Sequence, residues 1–156
     1  YGVDKIFHYL VDQNYQDIFV EIGGEVRVAG KNPKGLLWKI GLEAPENSIK
    51  TKSSFAGIIE LDDKSMATSG NYRNFINNEG KILGHTINPK TGYPVKSNVL
   101  SVTVISSSCM QSDAWATALM AMDYSKALKI LEGINDISII WILFNSHRLG
   151  SCFCSF

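Results

Sequence analysis

Asp113 and Thr117 stand four residues apart in the stretch Ser112-Asp113-Ala114-Trp115-Ala116-Thr117-Ala118-Leu119, whose alanine and leucine content favours a helix. Positions four apart on a helix share a face, one turn from each other, so a carboxylate and a hydroxyl project side by side. Such a pair suits a hard cation. Magnesium takes few protein oxygens and fills the rest of its octahedron with water and substrate phosphate. The same spacing also fits a solvated aspartate and a core-facing threonine, and the pair alone does not choose between these.

Three other segments bear groups that could do chemistry. Residues 66–73, Met-Ala-Thr-Ser-Gly-Asn-Tyr-Arg, gather small, hydroxyl and cationic side chains, including Ser69 and Arg73, that would let a ligand approach the backbone closely. The plainer reading is a turn with a surface arginine. Residues 84–92, Gly-His-Thr-Ile-Asn-Pro-Lys-Thr-Gly, set the titratable imidazole of His85 in a loop stiffened by proline, against the alternative of a structural histidine. Glu21-Ile22-Gly23-Gly24-Glu25 places two carboxylates around paired glycines, where backbone N–H groups could face an anion or a flat ring, or where there is simply a hairpin. His8 and His147 have no such setting. Cys109 lies near a predicted helix start, which can lower a thiol pKa, but no histidine neighbours it in sequence and packing is its expected role.

The elements that must position these groups read as follows. Val3, Ile6, Phe7, Leu10 and Val11 recur at helical spacing and predict an opening helix ending near Asn14. Ile18, Val20 and Ile22 alternate, Gly23-Gly24 turns the chain, and Val26 and Val28 alternate again, which predicts a hairpin. The turn chemistry of residues 32–35 leads to a third strand over 36–42, read as continuing a meander, and residues 43–54 are a polar loop before a strand over 55–61. A strand over 99–105 runs into Ser106, Ser107 and Ser108, which can cap a helix over 109–122. A second helix over 125–132 closes at Gly133, and the apolar run 137–144 is a last strand. This order predicts an α+β fold, an antiparallel or mixed sheet with helices packed on it.

Composition narrows the function. Fifteen Lys and Arg balance fifteen Asp and Glu, so no net field attracts nucleic acid or an anionic surface. No apolar run reaches about 18 residues, so no transmembrane segment is predicted. Three cysteines, Cys109, Cys152 and Cys154, give no disulfide framework. The chain opens at Tyr1 in an already periodic helix, without methionine, signal peptide or lead-in turn, and is expected to be part of a longer protein.

Taken together, the segments resemble the flavin:protein FMN transferase, or ApbE, family in order along nearly the whole chain. Tyr1-Gly2-Val3-Asp4 is similar to the end of its Lys-Gly-Tyr-x-x-Asp helix, and residues 21–25 to its glycine turn. Ala67-Thr68-Ser69-Gly70 is similar to its Ala-Thr-Ser-Gly signature, His85 to Pro94 to its His-x-x-x-Pro-x-Thr-Gly-x-Pro loop, and residues 113–118 to its Asp-Ala-x-Ala-Thr-Ala helix. The resemblance implies an ApbE-like domain over residues 1–144 with its N-terminal half missing, and an atypical tail over 145–156 that matches nothing in the pattern. It implies Asp113 and Thr117 as magnesium ligands with a third from upstream. Ser69, His85 and Ile87 would line the flavin site, Ile87 through its backbone, with Glu25 and Arg73 as further contacts and Asp4 structural. FAD is the implied substrate. Its FMN half would pass to a Ser or Thr hydroxyl of an acceptor protein, releasing AMP, with His85 as base or ligand contact. The alternatives are a magnesium-dependent FAD pyrophosphatase giving FMN and AMP, and a non-catalytic flavin-binding module. The family resemblance further implies a bacterial protein on the periplasmic side of the inner membrane, lipid-anchored at full length, modifying flavoprotein subunits of membrane redox complexes.

Overall fold

The computed structural model describes residues 1–44, 55–71, 75–78, 81–84, 86–95, 97–145 and 148–155, with backbone alone over 75–78, 81–84, 144–145 and 148–155. Helix α1 (Gly2–Asp12) precedes the hairpin β1 (Ile18–Ile22) and β2 (Glu25–Ala29). Then come β3 (Trp38–Glu43), β4 (Phe55–Leu61), β5 (Ser65–Gly70), β6 (Phe75–Asn78), β7 (Lys81–Gly84) and β8 (Val99–Ser106). Helices α2 (Cys109–Met120) and α3 (Tyr124–Leu131) lead to β9 (Ser138–Asn145) and β10 (Arg148–Ser155). Six strands form one sheet in the order β1-β2-β5-β8-β9-β10, and every pairing is antiparallel. The α+β expectation holds.

The sheet is covered on both faces, and the strand alternation shows how. Val102, Val104, Ile139, Trp141 and Leu143 point to one face and pack with Ala116, Leu119 and Met120 of α2 and Ala127 of α3. On that same face Val3 and Phe7 of α1 meet Ile18, Val20 and Cys109. The alternate positions Val26, Val28 and Met66 pack with Leu42 and Leu61 of the β3–β4 hairpin on the other side. Trp141 is 1% exposed and Val28, Val102 and Val104 are fully buried, so the sheet's centre is dry.

Two expectations change. The meander does not continue into a third strand: β3 leaves the sheet and, among the described residues, pairs with β4 alone, so that its apolar side can cover Val26 and Val28. The place beside β2 goes to β5, so that residues 66–70 of the segment 66–73, expected as a ligand-approach or turn segment, form a strand. Ser-Met-Ala-Thr-Ser-Gly has weak strand propensity, but its small side chains fit under a close-packed helix, and tertiary packing overrides propensity. The tail also pairs, with β10 laid against β9 from Arg148↔Asn145 to Ser155↔Ile139.

Candidate active site

The site is built around α2. Ser108 caps it, its Oγ accepting from the Gln111 N–H at 3.2 Å, as the serine cluster predicts. Cys109, Ser112, Ala116, Leu119 and Met120 are buried, which leaves Asp113 and Thr117 on the exposed side. The small residues Ser112 and Ala116 let the helix sit close on β5 and β8. Beneath it lies a lock of buried hydroxyls: Ser112 Oγ is 2.8 Å from Ser106 Oγ and 3.1 Å from Ser65 Oγ. Ser65 Oγ donates to Ser106 O at 3.0 Å and Ser106 Oγ to Ser108 O at 2.9 Å, so each hydroxyl proton has a place. The helix is thus fixed against the strand that carries Ser69, whose Oγ lies 3.3 Å from Thr117 Oγ1.

The glycine turn faces this helix. Gly23 and Gly24 have φ of +67° and +104°, which L side chains rarely adopt, and the pairing Ile22↔Glu25 closes the tight turn between them. The Gly24 N–H donates to Glu21 Oε1 at 2.7 Å. That amide is therefore already engaged, and the turn offers a glycine surface more than an open anion nest. Glu25 follows on the face that looks toward α2. Burial pushes its carboxyl pKa up, and the nearby charges of Asp113 and Glu21 add to the rise, against a hydrogen bond to its own backbone amide.

Two cavities meet at this turn. The larger, about 570 Å³, is lined by Gly23 and Gly24, by Ile40 to Glu43 of β3, by Thr68, Ser69 and Gly70 of β5, by Thr86 and Ile87, and by Thr117, Met120 and Ala121. The smaller, about 110 Å³, is lined by Ile22, Glu25, Cys109 and Asp113 among others. Thr117 therefore lines the first cavity and Asp113, one helical turn before it, the small neighbour. Another cavity, about 710 Å³, lies between residues 88–95 and the α2–α3 junction; Asn88 to Thr91 of the proline loop line it, but Glu25, Ser69, Ile87, Asp113 and Thr117 do not. The first cavity is where the candidate chemistry converges, and its volume suits a small-molecule site.

The loop after β7 is self-braced. The Asn88 N–H donates to Tyr93 O and the Val95 N–H to Thr86 O, both at 2.9 Å, around the bridge Ile87↔Pro94. Hydrogen bonds that flank a bridged pair leave that pair's own N–H and C=O turned outward, so Ile87 presents backbone away from Pro94. Thr86 Oγ1 donates to Asn71 Oδ1 at 2.6 Å and ties this loop to the end of β5. His85, Arg73 and His147 lie outside the described residues. Burial pushes the Cys109 thiol up to about 11, with the Asp4 charge adding, so it is no nucleophile at neutral pH.

Sequence reasoning missed the β3 contribution to the cavity wall, and Asn71 and Thr86 as its braces; no residue pattern signals a strand that crosses to the other face. Among the described residues no group of three His, Cys, Asp or Glu gathers around one point. The donor set present, Asp113 and Thr117 with the Glu25 carboxylate nearby, is all hard oxygen and fits magnesium, which leaves much of its shell to water and phosphate.

Residues 1–141 match the sequence model of the ApbE family. An FAD:protein FMN transferase of Vibrio cholerae serotype O1 is 40% identical over 143 residues, covering 92% of this chain and 42% of that protein. The solved structure of the flavin transferase ApbE from Vibrio cholerae superposes with a TM-score of 0.82 at 37% identity, over 99% of this chain and 47% of that one. The apo Pseudomonas stutzeri flavinyl transferase ApbE gives 0.81 at 31% identity, over 99% and 46%. The chain spans less than half the length of these relatives. The match in sequence over residues 1–141 and the shared fold agree: the chain belongs to the ApbE family.

Proposed function

We propose that this chain carries part of a magnesium-dependent FMN transferase that takes FAD as substrate, joins its FMN half to a Ser or Thr hydroxyl of an acceptor protein, and releases AMP. The observation that carries the reading is the convergence on one cavity of Thr117, Ser69, the paired glycines and the Thr86–Ile87 backbone, with Asp113 and Glu25 beside it. Asp113 and Thr117 would hold the metal, with Glu25 beside Asp113 in the small cavity. Bound there, magnesium would neutralise the pyrophosphate charge and favour departure of AMP.

The chain's own groups supply the rest. Ser69, within hydrogen-bond reach of Thr117, would contact a phosphate oxygen, and the glycine surface of the hairpin would let a flat or charged group lie close to backbone. Ile87 offers N–H and C=O as fixed partners for a polar ring edge. In the transfer, a bond forms from the acceptor hydroxyl oxygen to the FMN phosphorus, and the bond from that phosphorus to the bridging oxygen breaks. The oxygen leaves with AMP, and the hydroxyl proton passes to a base, for which His85 is the candidate. The family resemblance supports an acceptor among flavoprotein subunits of membrane redox complexes, and a full-length protein lipid-anchored on the periplasmic side of the inner membrane.

The test is incubation with FAD, Mg²⁺ and an acceptor protein, following AMP release and flavin fluorescence fixed to the acceptor. Asp113→Ala should abolish magnesium-dependent turnover with the fold intact, since an exposed substitution shifts stability by no more than about 0.5 kcal/mol. Unchanged turnover in that variant contradicts the metal assignment. Free FMN with no labelled acceptor identifies a pyrophosphatase, and bound but unaltered FAD a flavin-binding module.

A further inference from the structure

Asp4 is joined to the site by contacts that its place in the first helix does not foretell. Its Oδ1 accepts from the Cys109 N–H at 2.9 Å and from Arg27 Nη1 at 3.0 Å, and its Oδ2 accepts from the Met110 N–H at 2.8 Å. Cys109 and Met110 open α2, where N–H groups have no intrahelical acceptor. Ser108 Oγ accepts from the Gln111 N–H, and a carboxylate from α1 completes the cap. Arg27 in turn donates to Ser107 O, and its guanidinium lies 4.3 Å from the Phe7 ring centre. Burial pushes the Asp4 carboxyl up, but the two amides and Arg27 outweigh it and hold it below the ordinary value, so the grip is that of a charged group.

The clasp joins the elements whose mutual placement makes the site. Arg27 lies two residues beyond Glu25, on the same face of β2. Asp113 and Thr117 lie about one and two turns beyond Cys109 along a rigid helix. We propose that Asp4 is a positioning residue: its carboxylate, gripped by Arg27, seats the first turn of α2 against β2 and so sets Asp113 and Thr117 relative to the glycine hairpin and Ser69.

The metal half of this proposal rests on the magnesium reading above, and the geometric half does not. The experiment compares this chain with Asp4→Asn and with Ile18→Val, a destabilised control trimmed in the same apolar cluster that removes none of the clasp's hydrogen bonds. Two quantities are read: the nuclear Overhauser contact between the Thr117 methyl and the Ser69 β protons, and Mg²⁺ affinity by calorimetry in the presence of FAD. Asp4→Asn should lose the contact and weaken Mg²⁺ binding at least about tenfold, the usual penalty for removing an outer support of a metal site. Ile18→Val should lower the Tm yet keep both. A contact that persists in Asp4→Asn overturns the proposal, as does Mg²⁺ affinity equal to that of Ile18→Val. If the unaltered chain takes up no Mg²⁺, the magnesium reading fails on its own and the Overhauser contact alone decides the role of Asp4. Should Asp4→Asn not fold, Arg27→Lys, which keeps the charge but not the fork, is read by the same two criteria.

Discussion

Replacing Ser112 separates the contribution of its hydroxyl from that of its small size. In Ser112→Ala the hydroxyl disappears, but the protons of Ser65 and Ser106 keep their carbonyl acceptors, Ser106 O and Ser108 O, so no donor is orphaned. One buried hydrogen bond is lost, worth about 1 kcal/mol. The better helix propensity of alanine returns part of this, about 0.5 kcal/mol. Ser112→Val also loses the hydroxyl and forces a branched side chain into a fully buried position between β5 and β8, adding about 1–3 kcal/mol of overpacking. At about 2–4 °C per kcal/mol for a chain of this size, the Tm should fall about 1–2 °C for the alanine variant and roughly 4–16 °C for the valine variant. Thermal unfolding followed by circular dichroism measures both. If valine is tolerated as well as alanine, α2 is not pressed on the sheet as described. A fall of more than about 10 °C for alanine would mean that the hydroxyls support one another far beyond pairwise hydrogen bonding.

Other outcomes follow from the same geometry. The folded-state pKa of Glu25 lies above its ordinary value, so between those two values the folded chain binds more protons than the unfolded one, and stability falls as pH rises. Glu25→Gln should therefore match the parent below that window and be more stable above it, in Tm measured from acid to neutral pH; a parallel profile would refute the burial and charge assigned to Glu25. Asp4 has the opposite sign: its pKa is lowered, so its stabilisation is full above the ordinary carboxylate range and is lost as pH falls through its folded value, a loss that Asp4→Asn should remove. Gly24→Ala meets no atom within 4 Å but must adopt a φ of +104°, so its cost of about 1–3 kcal/mol should be backbone strain alone, seen as a lower Tm.

How far the sequence carried varied with the range of the forces involved. The helix over α2, its Ser108 cap and the Gly23-Gly24 hairpin were legible because each rests on local chemistry: alanine content, a cap hydroxyl, paired residues free to take positive φ. Asp113 and Thr117 were legible as a pair from their spacing, but spacing could not tell that Thr117 would meet Ser69 and line one cavity while Asp113 lined a smaller one with Glu25. β5 was not legible. It is a strand because β2 and β8 flank it and α2 needs small residues beneath it, and neither neighbour is near in sequence. The departure of β3 to the far face has the same origin, since Val26 and Val28 need a cover that no local pattern announces. The clasp from Asp4 to Cys109 and Met110 spans more than a hundred residues and only the folded chain reveals it.

The measurement that bears most directly on the account is a crystal structure of this chain with FAD and Mn²⁺ in place of Mg²⁺, with the metal located by its anomalous signal. The account predicts a single peak within about 2.0–2.3 Å of an Asp113 carboxylate oxygen and of Thr117 Oγ1, with the FAD pyrophosphate beside Ser69 and the glycine hairpin. A metal peak away from α2, or FAD seated instead between residues 88–95 and the α2–α3 junction, would contradict it.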